Sequence, residues 1–263
     1  MLLVFDVGNT ETTVGLCEGE AVRHHWRLTT EPSRTPDELA VQLGGLLAMA
    51  DIVPGAITGA AIGSVVPALT HPLAEACRRL PGVEPVVVDA SSPLPIRLEV
   101  DEPHTVGADR IINTLAASRR FGVDCIVVDL GTATTYDCIT ADGVFHGGII
   151  QPGIRTSAET LFRRAARLSA TELVAPARAM GKRTDLCIRA GVMFGAAASI
   201  DGLVARLKAE WPTAQVPRVI ATGGLASAIQ PLCQSIDRVE PDLTLEGLAM
   251  AHALLAGRGR SLR

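Results

Sequence analysis

Two short runs of this chain have the residue types needed to hold a polyphosphate and its counter-ion. They are Asp6-Val7-Gly8-Asn9-Thr10 and Asp129-Leu130-Gly131-Thr132-Ala133, 123 positions apart. Each follows an apolar stretch, Leu2-Leu3-Val4-Phe5 in one case and Ile126-Val127-Val128 in the other. A glycine after a strand lets the backbone approach a ligand with no Cβ in the way. Asn9, Thr10, Thr12 and Thr13 beside the first tip, and Thr132, Thr134 and Thr135 beside the second, offer amides and hydroxyls to phosphate oxygens. Asp6 and Asp129 would repel phosphate directly, so a cation has to stand between them and it, as Mg²⁺ commonly does. Either tip alone is also what an ordinary hairpin turn uses. Their recurrence in matching frames favours a phosphate site and a duplicated α/β chain.

A second candidate is Gly107-Ala108-Asp109-Arg110, an acid beside a base at an expected helix start. Asp109 there can accept a hydroxyl proton while the Arg110 fork holds a carboxylate or phosphate. On residue type alone, an Asp that only stabilises the helix N-terminus is the more economical reading. Gly223-Gly224 fits either a nucleotide lying against backbone or a plain strand-to-helix turn. Gly181-Lys182-Arg183-Thr184 is similar to the end of a Walker loop, but the upstream glycine is missing and the Thr comes one place late. The chain has no Gly-x-Gly-x-x-Gly after a strand, no His-Glu-x-x-His and no Gly-x-Ser-x-Gly.

The elements that must carry these residues read as follows. Strands are expected over 2–5, 12–17 and 22–28, then a helix from Thr35-Pro36-Asp37-Glu38, where Thr35 caps, Pro36 takes the first helical position and Glu38 completes a capping box. A buried strand over 56–66, a helix over 67–80, a strand over 85–89 and a helix over 107–121 complete the first half. The second half restarts at 125–129 and continues with a hairpin over 134–140 and 144–150, turning on Asp142-Gly143. Helices over 153–168 and 184–208, a strand over 216–221 and a last helix over 244–255 follow. The expected domains are 1–121 and 122–263, with no low-complexity linker between them.

Bulk composition bounds the answer. An apolar fraction of 48% with 20% charged residues describes a well-buried globular chain. Five Phe, two Trp and one Tyr leave Val, Leu, Ile and Ala to build the core. A net charge of −4 with no Lys/Arg run argues against a nucleic-acid surface, and Arg163, Arg164 and Arg167 read as a solvated face. The longest uncharged run, 52–70, is broken by Pro54 and Pro67 and is too irregular for a membrane span. Six scattered cysteines without Cys-x-x-Cys read as small reduced core residues. The sequence opens directly on a strand, so no export signal is expected and the location reads as cytoplasmic.

Taken together, Asp6–Thr10, Arg34-Thr35-Pro36-Asp37-Glu38, Gly107–Arg110, Asp129–Ala133, Gly147-Gly148-Ile149-Ile150-Gln151-Pro152-Gly153 and Ala221-Thr222-Gly223-Gly224 resemble type III pantothenate kinase, in that family's order and over nearly the whole chain. The resemblance implies two ribonuclease H-like domains of the actin-like ATPase kind with an ATP cleft between them. It also implies ATP-dependent phosphorylation of pantothenate, the first step of coenzyme A biosynthesis, by a homodimer.

The roles it implies are specific. Asp6, Val7, Gly8, Asn9, Thr10, Glu11, Thr12 and Thr13 form the first ATP-phosphate loop, with Asp6 reaching Mg²⁺ through water, and Thr132 is a second phosphate contact. Asp129 holds a monovalent cation, K⁺ or NH₄⁺. Gly107, Ala108, Asp109 and Arg110 bind pantothenate, with Asp109 as proton acceptor, and Thr184 is a further pantothenate contact near the dimer interface. Asp109 is expected to be fairly exposed, with an ordinary carboxyl pKa of about 4. Two departures stand out: Val100-Asp101-Glu102-Pro103 lacks the Tyr and Asn common in the family, and Glu11 stands where Asn or His is usual. The long apolar helix over 184–208 suits either a symmetry mate or core packing. The alternative from another class is a regulator of the same fold that binds nucleotide or pantothenate without turnover.

Overall fold

The structure, a computed structural model, describes residues 1–165 and 168–260, the last three of these by backbone alone. Arg167 of the expected basic face lies outside the described residues, while Arg163 and Arg164 are exposed in the last turn of a helix.

The chain forms two compact units. One comprises Met1–Arg120 together with the chain from Asp242 onward, and the other comprises Phe121–Pro241. The break thus falls at residue 120, and the C-terminal segment belongs with the first unit, where the sequence reading had assigned it to the second. The physical reason is apolar: Leu245, Leu248, Ala249 and Ala251 of the last helix are buried in a cluster with Leu2, Val4, Ile111 and Ile112 of the first unit.

In the first unit, β1 (Leu2–Val7), β2 (Glu11–Glu18), β3 (Ala21–Thr29), β4 (Gly59–Ser64) and β5 (Pro85–Val88) form a sheet in the order β3-β2-β1-β4-β5. The strands β1 to β3 pair antiparallel, whereas β4 and β5 join parallel to β1 and to each other. A two-residue strand, β6 (Arg97–Leu98), follows. Because β1 is central, both of its faces are buried and side chains alternate between two cores. Leu3, Phe5 and Val7 pack with Leu39, Leu43 and Leu47 of α1 (Pro36–Met49) and with Leu69 and Leu73 of α2 (Pro67–Arg79). Leu2 and Val4 pack on α3 (Ala108–Phe121) and on α7 (Leu243–Arg260). The capping box forms as expected: the Thr35 amide donates to Glu38 Oε2 at 2.8 Å, and the Glu38 amide donates to Thr35 Oγ1 at 3.3 Å.

The second unit repeats this plan. Strands β7 (Cys125–Leu130), β8 (Ala133–Ile139), β9 (Val144–Pro152), β10 (Arg218–Thr222) and β11 (Arg238–Val239) run in the order β9-β8-β7-β10-β11. The β7–β8 and β8–β9 pairs are antiparallel, and β10 and β11 are parallel additions. Its helices are α4 (Ile154–Arg164), α5 (Thr184–Ala209) and the short α6 (Ala226–Ile229). Five strands in the same order and orientation twice over make a duplicated ribonuclease H-like α/β fold. The expected helix over 153–168 is shorter, ending at Arg164. Four cysteines are buried as expected, but Cys187 is exposed and Cys233 only partly covered; all six are free. By length and composition α5 would suffice to cross a membrane. Its Ile188, Met193, Ala197, Ile200 and Val204 are nevertheless buried within the unit.

One close approach fixes the edge of the first unit where chemistry is expected. A Cβ on Gly63 of β4 would collide with the Ile112 side chain of α3, which is fully buried, and would also touch Leu248. Replacing Gly63 with Val should therefore cost about 1–3 kcal/mol, the range for overpacking a filled core, read as a lower urea midpoint. A wild-type midpoint would mean that α3 does not lie so close to β4.

Candidate functional site

The β1–β2 tip is built by strand pairing. Asp6 pairs with Thr13 and Val7 with Thr12 across the hairpin, leaving Gly8, Asn9, Thr10 and Glu11 to make the turn. The Gly8 amide donates to the Glu11 carbonyl at 3.1 Å. Asn9, Thr10 and Glu11 are exposed. Directly paired residues share a sheet face, so Asp6 and Thr13 lie on the α3 side with Val4, while Val7 and Thr12 lie on the α1 side with Phe5. The Thr12 hydroxyl is accordingly buried, bonded to Thr30 Oγ1 at 2.9 Å, and is turned away from the face that carries Asp6.

That same face holds the start of α3. Asp6 is level with Gly63 on the neighbouring strand, and a Cβ at Gly63 would lie 3.8 Å from the Ala108 Cβ. The structure thus brings Asp6 and the Gly107–Arg110 segment to one edge of one sheet face. Gly107 is required there, since its Cβ would stand 2.5 Å from Asp109 Oδ1 and 3.2 Å from Val65 Cγ1. Asp109 Oδ1 accepts the Arg110 amide at 2.9 Å. Burial pushes the Asp109 carboxyl above the ordinary carboxylate range, outweighing the Arg110 amide and guanidinium charge, which pull it down. This corrects the expectation of an exposed, ordinary Asp109: packing of α3 against β4 leaves it half-buried and partly desolvated.

In the second unit, Asp129 pairs with Thr135 of β8 and lies beside Thr222 of β10. The β7–β8 turn is one residue tighter than its counterpart, with Gly131, Thr132 and Ala133 between the paired Leu130 and Thr134. The exposed Thr132 is fixed through its carbonyl, which accepts the Gly153 amide at 3.0 Å and the Thr156 hydroxyl at 2.7 Å. A Cβ on Gly153 would collide with the carbonyls of Gly131 and Thr132, so the glycine that ends the Gly147–Gly153 motif exists to seat α4 under this turn. Gly223 has φ +88°, and a Cβ there would stand 2.6 Å from Asp129 Oδ1. The Gly223 backbone thus packs directly against that carboxylate, in a conformation and at a distance that leave no room for a side chain.

Thr184 opens α5 and borders a groove of about 640 Å³ between α4 and α5. Gln151, Ser157 and Ser199 supply its other polar groups, among apolar walls such as Ile154 and Ile188. The polar wall is ordered: Ser199 Oγ donates to Gln151 Oε1 at 2.9 Å, and Gln151 Nε2 donates to Tyr136 Oη at 3.0 Å. Volume and lining are those of a small-molecule site. Neither Thr30 nor Ser199 belongs to a sequence motif; hydrogen bonds bring out Thr30, and the groove that Ser199 lines brings out Ser199.

Among the described residues, no group of three or more His, Cys, Asp or Glu could hold a metal ion. Mg²⁺ bound through one carboxylate, water and substrate phosphates needs no such cluster, and Asp6 fits that donor set. Asp129 supplies a carboxylate oxygen, the donor type that would hold a monovalent cation, and the close approach of the Gly223 backbone holds that oxygen in place.

The family model described as type III pantothenate kinase matches residues 2–206. A type III pantothenate kinase from Roseiflexus sp. (strain RS-1) is 47% identical over 254 residues, covering 97% of this chain and 99% of that one. One from Listeria monocytogenes serovar 1/2a is 39% identical over 252 residues, with 96% of each chain covered. Among solved structures, component A of (R)-2-hydroxyglutaryl-CoA dehydratase from Acidaminococcus fermentans aligns over 98% of both chains, with TM-score 0.54 and 14% identity. The ROK hexokinase from Thermus thermophilus aligns over 98% of this chain and 99% of its own, with TM-score 0.51 and 14% identity. At those identities the structures speak for the shared fold alone. With a family model spanning most of its length and near-full-length relatives at these identities, this chain belongs to the type III pantothenate kinase family.

Proposed function

We propose that the protein transfers the γ-phosphoryl group of ATP to the primary hydroxyl of pantothenate, giving 4′-phosphopantothenate and ADP at the entry to coenzyme A biosynthesis. The observation that carries this reading is Asp109, a partly desolvated carboxylate at the start of α3, on the same sheet face and edge as Asp6. A regulator that only bound nucleotide would need no such base.

The division of labour follows from the two units. In the first, the Asp6–Thr13 tip receives ATP phosphates through its exposed amides and hydroxyls, and Asp6 holds Mg²⁺ through water. Gly107, Ala108 and Arg110 seat pantothenate, with the Arg110 guanidinium pairing with its carboxylate. Asp109 orients the hydroxyl and takes its proton as the new bond to phosphorus forms. In the second, Thr132 contacts phosphate and Asp129 holds K⁺ or NH₄⁺. Bound cations neutralise charge on the triphosphate. Phosphoryl transfer runs through a loose transition state, so positioning and charge neutralisation supply most of the acceleration and the base acts late. Thr184 and the groove beside it serve pantothenate, and α5 is the helix through which two copies form a homodimer. The enzyme works in the cytoplasm. A coupled assay for ADP tests the whole reading: release should require pantothenate and K⁺ together, whereas release without pantothenate would indicate a phosphatase, and none at all a binding protein.

Asp109→Asn should keep ATP binding and lose roughly 10²–10⁴-fold in turnover, the usual contribution of a positioned base. The burial-raised carboxyl sets the pH dependence. Only the carboxylate accepts a proton, so kcat/KM should fall as pH drops through a value above the ordinary carboxylate range, and Asp109→Asn should erase that limb. Folding favours the protonated form of a group raised in this way, so the substitution should not lower Tm. Near-normal turnover in Asp109→Asn would remove it from the mechanism. Asp129→Ala should abolish activation by K⁺ and NH₄⁺ while leaving the circular dichroism spectrum intact; an unchanged response to these ions would reassign the cation.

A further inference from the structure

Thr30, the residue after β3, holds the β1–β2 tip by three hydrogen bonds and is itself buried. Its amide donates to the Thr10 carbonyl at 2.9 Å, and its hydroxyl donates to the Gly8 carbonyl at 2.7 Å. Its single hydroxyl proton is then used, so in the 2.9 Å pair with Thr12 it is Thr12 Oγ1 that donates. Thr12 lies on the α1 side of the sheet, and its contact with Thr30 Oγ1 puts that oxygen there too. The Gly8 carbonyl is therefore drawn toward the α1 side. A trans peptide is planar, with its C=O and N–H pointing opposite ways. Fixing the Gly8 carbonyl consequently turns the Asn9 amide to the other side, which carries Asp6 and the start of α3. The Thr30 amide pins the far end of the turn through Thr10, so this peptide cannot rotate without breaking the clasp.

We infer that Thr30 is a positioning residue for nucleotide binding: its hydroxyl sets the Gly8–Asn9 peptide so that the Asn9 amide faces the phosphates. This rests on the reading of the Asp6–Thr13 tip as the phosphate loop. A backbone amide facing phosphate makes a charge-assisted hydrogen bond, and a mis-set peptide would replace it with a carbonyl that repels the anion. Thr30 touches no substrate and acts only through the loop.

Thr30→Val keeps the shape and the amide bond to Thr10 and removes only the hydroxyl. It should raise the KM for ATP by roughly tenfold or more, as expected for one lost charge-assisted bond, with the KM for pantothenate little changed. Thr30→Ser, which retains the hydroxyl, should restore the ATP value, and a merely structural role would not produce that split. Thr30→Ala replaces the Val variant should the latter fail to fold. Asn9→Asp, which puts a negative charge on the same tip, should weaken ATP binding through repulsion. Loss of ATP affinity in Asn9→Asp but not in folded Thr30→Val or Thr30→Ala would overturn this inference and leave the phosphate loop standing. No change in either would remove the tip from the nucleotide site altogether. A Thr30→Val defect without an Asn9→Asp defect, or one that Ser fails to restore, would also overturn it.

Discussion

The candidate chemistry of the first unit depends on how closely α3 lies against β4. Gly63 provides the clearance for Ile112, and Gly107 provides it for the Asp109 side chain and Val65. With side chains at those two positions the helix would stand off the sheet, more water would reach its first turn, and the Asp109 carboxyl would return toward its ordinary value. Closeness also does electrostatic work. The amide of Arg110 and the guanidinium charge favour the ionised form, while desolvation opposes it and prevails. A carboxylate held in that balance is a better proton acceptor than one in water, yet it keeps a donor that fixes its orientation.

The two units share a strand order but solve the problem of presenting a polar tip differently. At the first, a four-residue turn is braced from β3 by Thr30, through the carbonyls of Gly8 and Thr10. At the second, a three-residue turn is braced from α4, where Gly153 and Thr156 both bond the Thr132 carbonyl. In each case a backbone amide and a threonine hydroxyl from outside the turn bind its carbonyls. Turns left to themselves would satisfy those carbonyls with water and sample several peptide orientations. Bracing them makes a rigid binding edge from a motif that on composition is only a hairpin.

A motif's residues need not all face its ligand. Thr12 and Thr13 are neighbours in the same polar run, and both were expected to offer hydroxyls to phosphate. Strand pairing gives Thr13 to the side of Asp6 and Thr12 to the opposite one, where its hydroxyl supports Thr30. A residue can thus belong to a functional loop and act beneath it.

What the sequence determined by itself was local and periodic. The apolar run before each Asp-x-Gly, the Thr35–Glu38 capping box and the Asp142-Gly143 turn depend on contacts a few residues apart, so their residue types suffice to specify them. Tertiary structure alone decided the rest. Strand β11 is two residues long and carries no periodicity, yet it completes the repeated order by pairing with β10. The last helix left the second half for the first because its leucines found a sheet face exposed by a strand more than 200 residues earlier in the chain. The partial desolvation of Asp109 and the clasp of Thr30 likewise need partners that are distant in sequence or set by strand register. Desolvation and hydrogen bonding depend on which surfaces meet, and that is a property of packing that no local pattern encodes.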